Sequence, residues 1–381
     1  MKLLVVSHPC CEAAINQQFY AHIAALAGWD VTIVLPTSWM TDYGMRRAQR
    51  WRGFSGKLIA LPVSVNGNVP LHFYRARLAR ILAGERPDVV FVQHEPYGVA
   101  TFQTFLANQR SVRAPIGFYG FQNLVKHYPW PFAAMERYVY DHAGFALPVT
   151  RSAAEVMQTK GYRGPMAVLP LGVDTDIYRP ASPGSEQEPT ARSELVVGFL
   201  GRLVAEKGVE TLLEALAMLQ TTGIRAVIAG AGPLADHLRS LAEARGLGST
   251  VSWAGYVEHD RTPEFYRSVD VLVVPSEAKP NIKEQFGRVV VEALACAVPV
   301  VTSDCGELPQ LVEMTRGGWV FPQRDPGALA AILRSLLDQP RMLRQAGIQG
   351  RARVVQQLGM EGVAEAFVGA VEGAVKRRRA A

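Results

Sequence analysis

The chain has 381 residues, 49% of them hydrophobic, and a formal net charge of +6. That length suits two domains better than one, and no long segment is too polar to build a core. There is no run of about 18 uncharged apolar residues, so a membrane-spanning helix is not expected, and Cys10, Cys11, Cys296 and Cys305 show no metal-ligand spacing.

The chain opens Met1-Lys2-Leu3-Leu4-Val5-Val6-Ser7, with His8, Glu12 and Asn16 close behind. No small-residue cleavage site closes a longer apolar stretch, so this is expected to be a first buried strand and not a secretory leader. Apolar runs at 31–35, 58–63, 89–92, 116–119, 145–149 and 167–171 are short, β-branched and nearly continuous. Strands buried on both faces have that signature. Helix-length segments separate the runs, and the alternation predicts a parallel, doubly wound sheet. Residues 181–194 are rich in Pro, Ser, Gly and Glu without apolar periodicity and read as a linker. Beyond it, strand-like runs resume at 195–200, 226–229, 251–253, 271–274, 298–302 and 319–321. Val209, Leu212, Leu213, Leu216 and Leu219 recur there at helical spacing. The expected organisation is α/β: two Rossmann-like doubly wound domains, 1–180 and 195–355, with a helical segment 356–381 packing back on the first half.

Basic residues are clustered. Arg46, Arg47, Arg50, Arg52, Lys57, Arg75, Arg77, Arg80 and Arg86 are opposed between 42 and 86 only by Asp42 and Glu85, and Lys376, Arg377, Arg378 and Arg379 follow near the C-terminus. Such a stretch is either a solvated basic face or a surface for anionic lipid headgroups or an acidic acceptor. Nucleic acid is not expected as a partner, because no helix-turn-helix, zinc or RNA-binding signature accompanies the charge. The adjacent Cys10-Cys11 pair has poor disulfide geometry, so a reducing, cytoplasmic compartment is expected.

Chemistry concentrates in the second half. In Val196-Val197-Gly198-Phe199-Leu200-Gly201-Arg202 a strand gives way to a glycine turn, and Lys207 and Gly208 follow before a helix. Arg grips phosphate oxygens with a planar fork, Lys adds a point charge, and a helix start adds partial positive charge. Eight positions separate Glu284 from Glu292, a little over two helical turns at about 3.6 residues each. A first carboxylate in the loop and a second within the helix can share one crevice. Acceptor-only carboxylates beside helix-start N–H groups suit a ligand with hydroxyls at one end and phosphate in the middle. A nucleotide sugar has that layout.

Three other patterns carry less. Asp174-Thr175-Asp176 has the Asp-x-Asp form of some metal sites but sits beside the linker. Gly230-Ala231-Gly232-Pro233 resembles a dinucleotide turn, yet Trp253 and Gly255 stand where an acidic ribose contact belongs. A glycosidase pair would come from separate strands flanking a bond, whereas Glu284 and Glu292 come from one loop and helix.

Gly201-Arg202-Leu203 with Glu206-Lys207-Gly208, then Gly230-Ala231-Gly232-Pro233, Gly255-Tyr256-Val257, the Glu284/Glu292 pair with Phe286-Gly287, and Cys296-Ala297-Val298-Pro299-Val300-Val301-Thr302-Ser303 occur in the order seen in glycosyltransferase family 4. The chain resembles that family over 195–325. The first half is similar more loosely, through Glu95-Pro96-Tyr97, Gln122-Asn123 with Lys126-His127, and Leu169-Pro170-Leu171-Gly172. It departs from the family where a Gly-Gly pair commonly follows strand one: here stand His8-Pro9-Cys10-Cys11. The resemblance implies the GT-B fold, two Rossmann-like domains facing a cleft. It implies retaining transfer from a nucleotide sugar, UDP-linked before GDP-linked, with no metal and no cofactor. Arg202 and Lys207 would neutralise the diphosphate, Glu284 would bind sugar hydroxyls, and Glu292 would hold the ribose. Gly201, Phe286, Gly287 and Arg288 would frame the donor and Val257 the base pocket. Asn123 or His127 would stand for the family's first-domain histidine. The acceptor would be a glycan or lipid-linked hydroxyl in polysaccharide or glycolipid synthesis, met at an anionic inner membrane face through Arg46, Arg47, Arg50, Arg52, Lys57, Arg75, Arg77 and Arg80. The alternatives are a GT-B epimerase or phosphorylase, and a non-catalytic sugar-binding scaffold.

Overall fold

The computed structural model of the chain describes residues 1–41, 43–181, 194–219 and 223–380. They form two compact units, one of Met1–Gly172 with Met360–Ala381 and one of Val173–Gly359.

In the first unit the strands are β1 (Lys2–Val6), β2 (Asp30–Pro36), β3 (Ser38–Thr41), β4 (Gly44–Arg47), β5 (Lys57–Leu61), β6 (Val63–Ser64), β7 (Phe73–Tyr74), β8 (Val89–Val92), β9 (Ile116–Gly120) and β10 (Phe145–Pro148). Its helices are α1 (Ala13–Ala27), α2 (Leu78–Glu85), α3 (Val99–Gln109), α4 (Phe132–His142) and α5 (Arg151–Thr159). Six strands make one parallel sheet in the order β10-β9-β8-β1-β2-β5. Every residue of β8, β9 and β10 is buried, which is why these strands read as unbroken apolar runs. The chain builds outward from β1 in one direction, then restarts at β8 in the other. Ligands in open α/β sheets bind beyond the carboxyl ends of strands at such a reversal.

The second unit repeats the plan. Strands β11 (Leu195–Leu200), β12 (Ile224–Ala229), β13 (Val251–Gly255), β14 (Val271–Val274), β15 (Val300–Ser303) and β16 (Gly318–Phe321) form a parallel sheet in the order β13-β12-β11-β14-β15-β16. Its helices are α6 (Val209–Ala217), α7 (Ala235–Ala244), α8 (Thr262–Arg267), α9 (Arg288–Ala295), α10 (Leu308–Thr315), α11 (Pro326–Asp338) and α12 (Pro340–Leu358). The reversal falls between β11 and β14. The last helix, α13 (Met360–Ala380), belongs to the first unit. Its Phe367 is fully buried, with ring centroids 5.4 Å from Phe19 and 5.0 Å from Phe91.

Three expectations change. Residues 167–171 do not form a strand: Ala167 and Leu169 donate to Ala146 and Pro148 carbonyls beside β10, but Pro165 and Pro170 supply no N–H and no ladder develops. The units divide at Gly172/Val173 and not at 180, because the Val173 N–H donates to Leu358 O and the Tyr178 hydroxyl lies 2.9 Å from Thr262 Oγ1. The hairpins β3–β4 and β6–β7 were not foreseen. Most of the linker, residues 182–193, lies outside the described residues.

Candidate active site

In the second unit, functional side chains gather where β11 and β14 end. Gly201 and Arg202 follow β11, and a single turn, Ala205–Lys207, leads to Gly208 and α6. Gly208 has φ +61°, and a Cβ there would lie 2.0 Å from the Pro275 carbonyl oxygen, so only glycine lets α6 start this close to β14. The Glu277 N–H donates to Glu206 O at 2.9 Å and joins the two loops. Ser276 leaves β14, and Glu284 arrives on the loop before α9, where the Glu307 N–H donates to its carbonyl at 3.2 Å. Gly287 caps α9 at φ +83° and is packed so closely that a Cβ would meet Leu308 Cδ2 at 2.8 Å.

These loops bring opposite charges together. Lys207 Nζ lies 2.6 Å from Glu284 Oε2, and Ser276 Oγ donates to the same oxygen at 3.0 Å. Arg202 pairs with Glu206 at 3.1 Å, and its charge also acts on Glu284. Burial pushes the Glu284 carboxyl up, but Lys207, Ser276 and Arg202 together outweigh it and hold the group below the usual carboxylate range. Glu284 is therefore an ionised acceptor at neutral pH. Glu292, within α9, is shifted the other way. Its buried carboxylate accepts from the Tyr266 hydroxyl at 2.8 Å, and burial pushes it up to about 7 against the lowering effects of Arg288 and Tyr266. Tyr178 and His259 complete that pocket wall, with the Tyr178 hydroxyl 3.2 Å from His259 Nε2.

The first unit holds two clusters at the corresponding reversal. Glu95 follows β8 and accepts from the Phe121 N–H at 2.9 Å, while its other oxygen is buried without a partner. Burial pushes this carboxyl up to about 7. Nearby, the rings of Tyr97 and Tyr128 lie 4.2 Å apart, and Lys160 sits 4.0 Å above Tyr128 and 2.7 Å from Glu136. The second cluster is His8, His72 and His94, whose candidate ligand nitrogens lie within 4.8 Å of one another. One nitrogen of each ring, His8 Nδ1, His72 Nε2 and His94 Nδ1, is buried without a hydrogen-bond partner. The His8 and His94 rings stack at 24° with centroids 4.6 Å apart, so their in-plane lone pairs run in nearly parallel planes. The His8 N–H already donates to His94 Nε2 at 2.8 Å, and His72 Nδ1 lies 2.9 Å from Val69 O. Burial lowers the pKa of all three, and they pack with Trp39 as neutral rings.

Comparison with known proteins decides the family. Residues 14–172 match the model of the glycosyl transferase 4-like domain, and residues 184–353 match that of the glycosyl transferases group 1. The chain belongs to the family 4-type glycosyltransferases. The chain is 34% identical over 204 residues to a GDP-mannose-dependent alpha-(1-6)-phosphatidylinositol monomannoside mannosyltransferase of Mycobacterium tuberculosis, covering 50% of this chain and 51% of that one. It is 32% identical over 231 residues to the D-inositol 3-phosphate glycosyltransferase of Acidothermus cellulolyticus, covering 56% and 49%. The aligned part thus spans about half the length of these curated relatives. Among solved structures it is similar to a sucrose-phosphate synthase from Thermosynechococcus elongatus (TM-score 0.73, 20% identity, 98% of each chain). It is also similar to Anabaena HepE in complex with UDP (TM-score 0.75, 18% identity, 98% of this chain and 100% of that one). These likenesses show the GT-B fold.

Of the expected site residues, the chain holds Arg202, Lys207 and Glu284 as one interacting set; Gly201 follows β11, Phe286 and Gly287 lead into α9, and the charge of Arg288 acts on Glu292. Glu292 lies in a separate cluster with Tyr266 and not on the Lys207–Glu284 pair. Val257 follows β13, beyond Gly255, whose carbonyl accepts from the Gly230 N–H at 2.7 Å. Asn123 and His127 part company: Asn123 is buried and His127 exposed. Asp174 spends its carboxylate on the N–H groups of Asp176 and Ile177, as a turn residue does. Sequence reasoning missed Ser276 and Tyr266 and gave no role to Glu95, noted only within Glu95-Pro96-Tyr97. Ser276 and Glu95 each stand just past an apolar strand beside the sheet reversal, and that position was the available signal.

Proposed function

We propose that the chain transfers a sugar from a nucleoside diphosphate donor to an acceptor hydroxyl, with retention of anomeric configuration and with its own cations doing the work of a metal. The observation that carries this reading is the Arg202–Lys207–Glu284–Ser276 set at the β11/β14 reversal. Departure of a diphosphate from a sugar carbon concentrates negative charge on the leaving group. Fixed donors aimed at that charge lower the barrier by a few kcal/mol each. Arg202, Lys207 and the start of α6 supply them, and the N–H groups at the start of α9 add partial positive charge. Glu284, held ionised, accepts from sugar hydroxyls, and Glu292 with Tyr266 takes the ribose. In retaining transfer the leaving phosphate can itself receive the acceptor's proton on the same face, so no side-chain base is required in the second unit. The acceptor is a glycan or a lipid-linked sugar, and the donor carries UDP or GDP.

A thermal-shift panel of UDP, GDP and their sugars tests the reading, because a matched ligand stabilises the native state by mass action. The donor that shifts the protein is then incubated with and without candidate acceptors, and free diphosphate is measured. Acceptor-dependent release supports transfer. Release without acceptor turns the reading to an epimerase or phosphorylase, and no shift with any nucleotide ends it.

A further inference from the structure

The two unforeseen hairpins present a surface that the donor chemistry does not use. In β3–β4, Met40 faces Met45 across the strands and Trp39 faces Arg46. In the segment entering β7, Leu71, Phe73 and Arg75 point outward while His72 and Tyr74 are buried. Trp39 and His72 meet on the inner side, ring centroids 4.8 Å apart, over the His8–His94 stack. Asn66 ties the hairpins together: its Oδ1 accepts from the Met40 N–H at 2.7 Å and its Nδ2 donates to Ser38 O at 2.9 Å.

Both hairpins therefore share one buried face and one outer face. The outer face of a short antiparallel ribbon is ordinarily polar. Here it carries Met40 (46% exposed), Met45 (49%), Leu71 (41%) and Phe73 (39%), with Val65 (48%) in the loop of the β6–β7 hairpin. Exposed Arg47, Arg75, Arg77 and Arg80 flank these side chains, and Asp42 is the only carboxylate between 38 and 80. Two cations of the basic stretch are spoken for: Lys57 pairs with Glu85 at 2.6 Å, and Arg50 donates to the carbonyls of Phe54 and Gly56.

We propose that this outer face docks on an anionic lipid bilayer, with Met40, Met45, Leu71 and Phe73 entering the headgroup–acyl boundary and Arg47, Arg75 and Arg77 meeting lipid phosphates. The inference goes beyond the transfer reading and does not depend on it. A combination of unbranched or aliphatic side chains with a cationic rim fits an interface that is apolar below and anionic above. A soluble acidic glycan would satisfy the arginines but would draw nothing from two methionines and a leucine.

Flotation of the full chain with vesicles of phosphatidylcholine alone, and of phosphatidylcholine mixed with phosphatidylglycerol, tests the proposal. The protein is expected to float with the anionic vesicles at low salt, less at high salt, and not with the neutral ones. The double variant Met45→Ser/Phe73→Ser should bind at least about tenfold more weakly, and Arg47→Glu/Arg75→Glu should lose binding. The four residues changed, Met45, Phe73, Arg47 and Arg75, are exposed and outside the first unit's core, and an unaltered melting temperature with an unaltered nucleotide shift confirms that each variant is folded. Three results overturn the proposal: no flotation with anionic vesicles at low salt, wild-type binding by Met45→Ser/Phe73→Ser, or binding to soluble polygalacturonate without binding to vesicles.

Discussion

Glu284 and Glu292 share a loop and a helix, yet their surroundings shift their carboxyls in opposite directions. Lys207 and Ser276 keep Glu284 ionised, while burial beside Tyr266 pushes Glu292 up to about 7. The folded protein thus holds the Glu292 proton more tightly than the unfolded chain does. That contribution to stability is fully present below about pH 4 and is lost as pH rises through about 7. Glu292→Gln lacks it, so the stability of wild type relative to the variant should fall across that window by on the order of 3 kcal/mol. Glu284, with its pKa depressed, has the opposite sign: its contribution is present above about pH 4 and is lost on acidification, so Glu284→Gln should lag wild type most at neutral pH. Denaturant unfolding of both variants across pH reads this directly, and two curves parallel to wild type would refute the assignment. For the reaction itself, Lys207→Ala and Arg202→Ala should each lower turnover at least about tenfold in a folded protein. Near-normal turnover in both would remove the diphosphate role.

The elements that position these residues differ in how far sequence reveals them. Gly208 is the tightest point: its φ of +61° and the Pro275 carbonyl 2.0 Å from any Cβ fix where α6 begins and hence where Lys207 points. Gly208→Ala should cost about 2 kcal/mol or more and weaken nucleotide binding beyond what the lost stability explains. Isothermal titration of the folded variant measures the second effect, and intact affinity would show that Lys207 finds its place without the close approach. The sheet strands around this turn were legible because burial on both faces forces unbroken apolar runs such as 271–274. The gathering of Arg202, Lys207 and Glu284 was legible because the sequence sets these charged side chains on turns that leave the sheet. The run 167–171 misled because its composition is strand-like while only Ala167 and Leu169 donate to the carbonyls of β10. The hairpins β3–β4 and β6–β7 were hidden for other reasons: β3–β4 carries Met and Arg where a strand pattern calls for β-branched residues and is tied to Asn66 of a later segment, while β6 and β7 are only two residues long each. The His8, His72 and His94 stack joins three distant stretches, and no local spacing could announce it.

At the scale of the molecule, each unit has its own sheet and its own core, but the chain does not finish one before starting the other. It leaves the first unit at Gly172, builds the second through Gly359, and returns with α13. That helix is part of the first core: Phe367, Val371 and Ala364 are fully buried, and the Phe367 ring stands against Phe91 of β8 and Phe19 of α1. Replacing so large a buried ring by Ala removes its contacts and leaves a cavity, so Phe367→Ala should destabilise the first unit by about 3–5 kcal/mol. The proposed donor residues lie in the other unit, between Val173 and Gly359, whose apolar core cluster, among the described residues, contains nothing from α13. Hydrogen exchange resolved by peptide should therefore rise in α1, β1 and β8 of Phe367→Ala and stay at wild-type levels in β11, β14 and α9, with the nucleotide-dependent protection of Gly201 and Gly287 peptides retained. A rise of equal size in β11 and β14 would show that the two cores unfold as one and that α13 stabilises the donor site as much as the sheet it packs on.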